Sequence, residues 1–161
     1  MKIDHAINTV TEAEQDLADQ LERVAGRHGA EHDVYHLGHK QAVKAAARAR
    51  SLTDFAQKYG ADAPRQSDPD PGVMDTLRRQ TSELLGRAQA PGLILLRDLQ
   101  ETYLQAQRAE IAWVVLQQGA KACRDLELVE AVTSAHEECE TTAKWLRTRL
   151  KVAAPQVLAV G

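Results

Sequence analysis

The apolar positions between residues 3 and 28 form a ladder with rungs at Ile3, Ile7, Val10, Leu17, Leu21 and Val24. Steps of three and four put side chains on one helix face, so the spacing predicts an amphipathic helix burying a single stripe. One rung is wrong. The step between Val10 and Leu17 falls on Glu14, and a carboxylate in an apolar stripe is costly unless it is paired. A second stretch repeats the pattern with Leu96, Leu99, Tyr103, Ala106, then Glu110, then Trp113. Both acids are therefore expected to point inward from the middle of a helix.

The same periodicity predicts a helix over 32–59 that stops at Gly60, glycine being the usual helix terminator. Its packing face, Val34, Gly38, Ala45, Leu52, Ala56 and Tyr59, is rich in small residues and suits close approach of a neighbour. Residues 60–72 carry three prolines and three aspartates, a composition that excludes helix and strand alike. A short helix is predicted over 73–89 (Val73, Leu77, Leu84, Ala88), broken by Pro91 and Gly92. Helices over 92–123 and 125–153 follow, the last stopped by Pro155.

Connection lengths then give the architecture. Helix 3–28 joins helix 32–59 tightly, and 92–123 joins 125–153 tightly, so each pair is an antiparallel hairpin. The middle connection, with its own short helix, is long enough to run the length of the bundle. One long crossover between two hairpins is the ferritin-like arrangement. The expected fold is all-α: one ferritin-like four-helix-bundle domain over residues 1–161.

Composition narrows the function classes. A chain of 161 residues that is 43% hydrophobic and 27% charged, with a net charge of -3, fits one soluble domain and argues against a nucleic-acid binder. No run of about 18 apolar residues exists to span a membrane. The start, Met1-Lys2-Ile3-Asp4-His5, has no secretory pattern, so a cytoplasmic location is expected. Cys123 and Cys139 form no CxxC pair. Cys139 falls roughly 20 Å along its helix from the expected turn, too far for a disulfide with Cys123.

The inward acids carry the candidate chemistry. With a turn near residue 30, Glu14 lies level with Lys44 and Arg48, beside Gln41 at the edge of the second helix's packing face. With a turn near residue 124, Glu110 lies level with Cys139, one turn or less from His136 and Glu140. Those two flank a seam of Leu128, Val132, Ala135, Cys139, Leu146 and Leu150. One reading is a metal site of Glu14, Glu110, His136 and Glu140 holding iron, manganese or zinc. The other is a structural polar layer that fixes helix register through an acid-base network. A di-iron bundle needs a Glu from each of two helices and Glu-x-x-His from each of the others. No Glu-x-x-His occurs, and the second helix offers cations instead, so the polar layer is the preferred reading and no cofactor is expected.

His32, His36 and His39 follow at i, i+4 and i+7, with His28 just before. Imidazoles four apart suit zinc, nickel or copper, with Glu31, Asp33 or a neighbouring subunit as further ligands. The stripe faces away from the small-residue face, so a solvated polar surface or a subunit contact is the favoured reading. Trp145, opposite the seam and near Val152, is expected to be an exposed contact for the crossover or a second subunit. The chain has no phosphate loop, nucleophile elbow, Ser-His-Asp grouping or basic-aromatic patch.

Several stretches carry a resemblance. They are Ser134-Ala135-His136-Glu137-Glu138-Cys139-Glu140, Lys144-Trp145-Leu146-Arg147-Thr148-Arg149-Leu150-Lys151, Ala153-Ala154-Pro155-Gln156, Asp33-Val34-Tyr35-His36-Leu37-Gly38-His39 and Phe55-Ala56-Gln57-Lys58-Tyr59-Gly60. Together they resemble ferritin-like bundle proteins of high-GC (actinobacterial) bacteria whose chemistry is unassigned. The resemblance implies the fold and adds no catalytic residue. The expectation is a non-enzymatic bundle acting through association with itself or another protein. The alternative is a metal-binding ferritin-like protein, using iron or manganese, with an oxidative or storage role. Neither a nucleic acid nor a membrane is an expected partner.

Overall fold

In a computed structural model, which describes residues 2–65 and 90–160, the chain is all-α with no strand among the described residues. Four long helices, α1 (Ile3–Arg27), α2 (His32–Arg50), α4 (Pro91–Cys123) and α5 (Leu126–Pro155), build the body, with a short α3 (Thr53–Tyr59) after α2. The helix predicted over 73–89 lies outside the described residues.

The ladder of α1 is buried as its spacing predicts, from Ile3 through Val24, and Glu14 is fully buried within it. Helix α2 presents Val34, Gly38, Ala42, Ala45 and Ala49 to α1 and the core. A Cβ on Gly38 would lie 2.9 Å from the Cβ of Ala25, so the missing side chain sets how closely α1 and α2 approach.

The predicted single helix over 32–59 is instead two. Ser51 Oγ donates to the Arg48 carbonyl (2.6 Å) and Thr53 Oγ1 to the Arg50 carbonyl (2.7 Å). Hydroxyls that bond the preceding turn compete with the helix ladder, and the axis is interrupted at Leu52. Leu52 and Ala56 are both buried across this break. Helix α3 ends on Gly60 in the left-handed conformation (φ 71°), with the Ala61 N–H reaching back to the Ala56 carbonyl.

The turn between α4 and α5 is only Arg124 and Asp125. Arg124 occupies the left-handed position (φ 56°) where glycine is usual, and the Asp125 N–H closes the turn on the Ala120 carbonyl. Asp125 then caps α5, its Oδ1 accepting from the Leu128 N–H at 3.2 Å. Helix α5 ends at Pro155, close to the expected stop. Lacking an N–H, this proline is the last residue of α5, and the backbone widens into a π turn over Gln156–Val160. Gly92 lets this turn lie against the start of α4, since a Cβ there would meet Val157 at 2.8 Å.

Side-chain pairs give the helix directions. Glu22 meets His39 and Glu14 meets Arg48, so α1 and α2 are antiparallel. Arg27 meets Asp98 and Glu14 meets Trp113, so α1 and α4 are antiparallel as well. Gln117 bonds Thr133 across the antiparallel α4–α5 pair, and Arg149 bonds Asp33 across α5 and α2. The order is therefore up, down, down, up. After α3 the chain turns back along α1: Asn8 exchanges hydrogen bonds with Asp62, and Gln15 with Arg65. Residues 62–65 thus travel in the direction of α1, towards the end of the bundle where α4 starts.

Candidate functional site

The centre of the bundle holds a polar layer drawn from all four long helices. Glu14 on α1 accepts two parallel bonds from Arg48 on α2, Nε to Oε1 at 2.7 Å and Nη2 to Oε2 at 2.9 Å. Trp113 on α4 donates its indole N–H to the same Oε1 at 2.5 Å. Arg48 Nη1 reaches Thr142 Oγ1 on α5 at 3.5 Å, and that hydroxyl donates to Gln41 Oε1 on α2 at 2.8 Å. Glu14 is 0% and Arg48 2% exposed, so both ions are out of water. A bidentate guanidinium–carboxylate pair with a third donor is the geometry that offsets burial of the acid.

Of the two cations that the sequence placed beside Glu14, Arg48 makes the bond and Lys44 is exposed. Trp113 is legible in the sequence only as an apolar rung. Its bond to Glu14 depends on how α1 faces α4, which no local spacing reveals. Thr142 joins the layer for the same reason.

Glu110 does not point into the centre as its rung predicts. Ala106, Ala109, Trp113 and Leu116 take the core positions of α4, while Tyr103 and Glu110 are half-buried beside them. The helix buries small residues against α1 and turns the acid towards α5. There Glu110, His136 and Glu140 come together, with one ligand atom from each lying within 4.8 Å of the others. Among the described residues this is the one group of three or more metal-ligating side chains so placed. Gln107 Nε2 donates to Glu110 Oε2 at 2.7 Å, and the buried His136 Nε2 has no hydrogen-bond partner. The four residues proposed from sequence thus divide, with Glu14 in the ion pair and the other three in the α4–α5 seam.

Cys139 lies between these features. Burial pushes its thiol up, and the negative charge of Glu14 adds to the shift against the opposing pull of Arg48. Its Sγ faces the Ala106 carbonyl at 3.9 Å. A thiol held protonated in a closed seam is chemically inert.

The histidine stripe makes other contacts. His32 and His36 are exposed and meet edge to face, with centroids 4.3 Å apart, and Tyr35 packs edge-on against both His36 and His39. His39 Nδ1 pairs with Glu22 at 2.6 Å. His28 turns to the other side of α1 and bonds Asp98 at 2.8 Å, where Arg27 also bonds. Burial pushes the Asp98 carboxyl up, but His28 and Arg27 together outweigh it and leave it below its ordinary value. This ion cluster, which pins the end of α1 to the start of α4, has no signal in the sequence beyond an aspartate on an apolar face.

Trp145 is half-buried against the core rather than exposed, and its buried Nε1 has no hydrogen-bond partner. Exposed apolar side chains occur elsewhere, at Leu126, Leu158, Val160 and Val43 and in a set on α4. Leu104, Ile111 and Val115, at spacings of seven and four, are 66%, 62% and 58% exposed. No helix among the described residues is long and apolar enough to cross a membrane. No protein-family model matches the chain, and neither a curated protein nor a solved structure matches it.

Proposed function

We propose that the chain is a non-enzymatic bundle of the ferritin-like kind that acts through association with a second copy of itself. The up-down-down-up order of its helices supports the ferritin-like assignment, because that order requires one long crossover between two hairpins. At the centre, where such bundles hold paired ions between four helices, Glu14 is engaged by Arg48 and Trp113. A fixed guanidinium there repels a metal ion, which weighs against oxidative or storage chemistry in the core.

The observation that carries association is the bare stripe of Leu104, Ile111 and Val115 on α4. The three side chains share one face of α4, and exposed apolar residues gathered on one face mark a contact. The stripe is also self-complementary. In an antiparallel pairing of two α4 helices, Leu104 of each copy meets Val115 of the other, and Ile111 meets the aliphatic stem of Arg108. That pairing is the isologous contact of a two-fold dimer.

Light scattering on the untagged chain, as it elutes from size exclusion, tests the reading. A dimer that Ile111→Lys converts to a stable monomer is the expected result. A wild-type monomer at high micromolar concentration would overturn it. So would an Ile111→Lys protein that keeps its mass but loses thermal stability, because the stripe would then be an intramolecular contact. A metal-binding role is the second reading, favoured by the Glu110, His136 and Glu140 cluster.

A further inference from the structure

The geometry points to a mononuclear binding site for a divalent transition ion, of the zinc(II) class, in the α4–α5 seam, formed by Glu110, His136 and Glu140. The site stands apart from the bundle's centre and does not depend on the association reading. Its ligands come from two packed antiparallel helices, a scaffold that holds side chains more tightly than loops do. His136 and Glu140 are one helical turn apart on α5, so both project from the same face. Glu110 faces them from α4.

Four features favour a metal here over a solvated group of polar side chains. The three ligand atoms already lie within 4.8 Å of one another. Ligands at about 2.0–2.2 Å from a shared tetrahedral ion sit roughly 3.3–3.6 Å apart, so side-chain adjustments of about an ångström close the site. The buried His136 Nε2 has no hydrogen-bond partner, an unusual state for a buried polar atom that coordination through this nitrogen would relieve. Gln107 holds one oxygen of Glu110 and leaves the other to coordinate, the outer-shell orientation that metal ligands commonly receive. Finally, no Lys or Arg pairs with Glu110 or Glu140 among the described residues. Two carboxylates and a neutral imidazole then leave two negative charges for a divalent ion to balance.

The ligand set selects the ion class. One nitrogen and two carboxylate oxygens suit zinc, manganese or iron(II), whereas calcium and magnesium prefer oxygen alone. Three protein ligands in a half-buried seam leave at least one coordination position for water. The exposed histidines of α2 lack this convergence, since His39 is taken by Glu22 and His32 and His36 meet edge to face.

Calorimetric titration of zinc(II) into the untagged, chelator-stripped full chain tests the site. We expect one ion per chain, with affinity lowered about tenfold or more by His136→Ala and by Glu110→Gln, each removing one of three ligands. His36→Ala should leave the affinity unchanged, as should Ile111→Lys, which separates this result from that of the association test. Circular dichroism of the stripped variants checks that they fold, and Glu140→Gln replaces His136→Ala should that protein unfold. The site is refuted by the absence of one-to-one binding, by binding that none of the three ligand variants weakens, or by binding lost in His36→Ala.

Discussion

Replacing Arg48 by methionine is the sharpest perturbation of the central layer. The side chain is 2% exposed and supplies two of the three bonds to a fully buried carboxylate. Its loss leaves Glu14 with the indole N–H of Trp113 alone. Removing one partner of a buried ion pair costs about 3–5 kcal/mol, mostly the cost of the stranded charge. For a chain of this size each kcal/mol moves the midpoint by roughly 2–4 °C, so Arg48→Met should lower it by about 6–20 °C. Glu14→Gln with Arg48→Met removes both charges and keeps an acceptor for Trp113. That double variant should recover most of the loss, because replacing a buried pair by neutral groups is often close to neutral. Urea unfolding of the four proteins, followed by circular dichroism, gives the coupling energy directly. A cost below about 1 kcal/mol for Arg48→Met, or a double variant whose cost equals the sum of the singles, would refute the buried pair.

Three further outcomes test the frame around the site. Asp125 accepts from Lys58, Tyr59 and the Leu128 N–H, an arrangement that holds its carboxyl down from 3.8 to about 2 and pushes the Tyr59 hydroxyl up to about 12. Because the folded value is depressed, its contribution is present above about pH 4 and fades as pH falls towards 2. Asp125→Ala should therefore cost about 1 kcal/mol at neutral pH, as a lost helix cap does, and the difference should vanish near pH 2 in acid titrations of stability. Gly38→Leu should destabilise by about 1–3 kcal/mol in thermal melts, because overpacking forces the helices apart where even a lone added Cβ would stand 2.9 Å from Ala25. Arg124→Gly should stabilise the protein by up to about 1 kcal/mol in the same assay, since it relieves a left-handed conformation that L side chains resist; no gain would argue against the strain at φ 56°.

Much of this protein is written locally. The three- and four-step ladder gives α1 and its buried face, Gly60 ends α3, and the short connections after Arg27 and Cys123 give the two hairpins. The inward position of Glu14 is legible for the same reason, because a helix face is a property of one segment's periodicity. Even its pairing with the α2 cations follows from counting levels across a tight turn. Glu110 shows where that logic ends. Its spacing allows an inward position, yet α4 touches both α1 and α5, and the competition between those two contacts decides which residues face which neighbour. The break at Ser51–Leu52 is hidden from the sequence pattern because hydroxyl bonds to the preceding turn leave no trace in apolar spacing.

The sequence by itself determined the long helices apart from the break at Ser51–Leu52, their hairpins and the presence of a charge in the core, all set by interactions within about one turn or across a short loop. Only the tertiary structure decided that Trp113 and Arg48 share Glu14, that Asp98 binds the end of α1, and that Glu110, His136 and Glu140 form a separate cluster. Contacts between α1 and α4 join residues about a hundred positions apart. Their register depends on how the hairpins dock, and docking is settled by the packing of whole helix faces rather than by any local pattern.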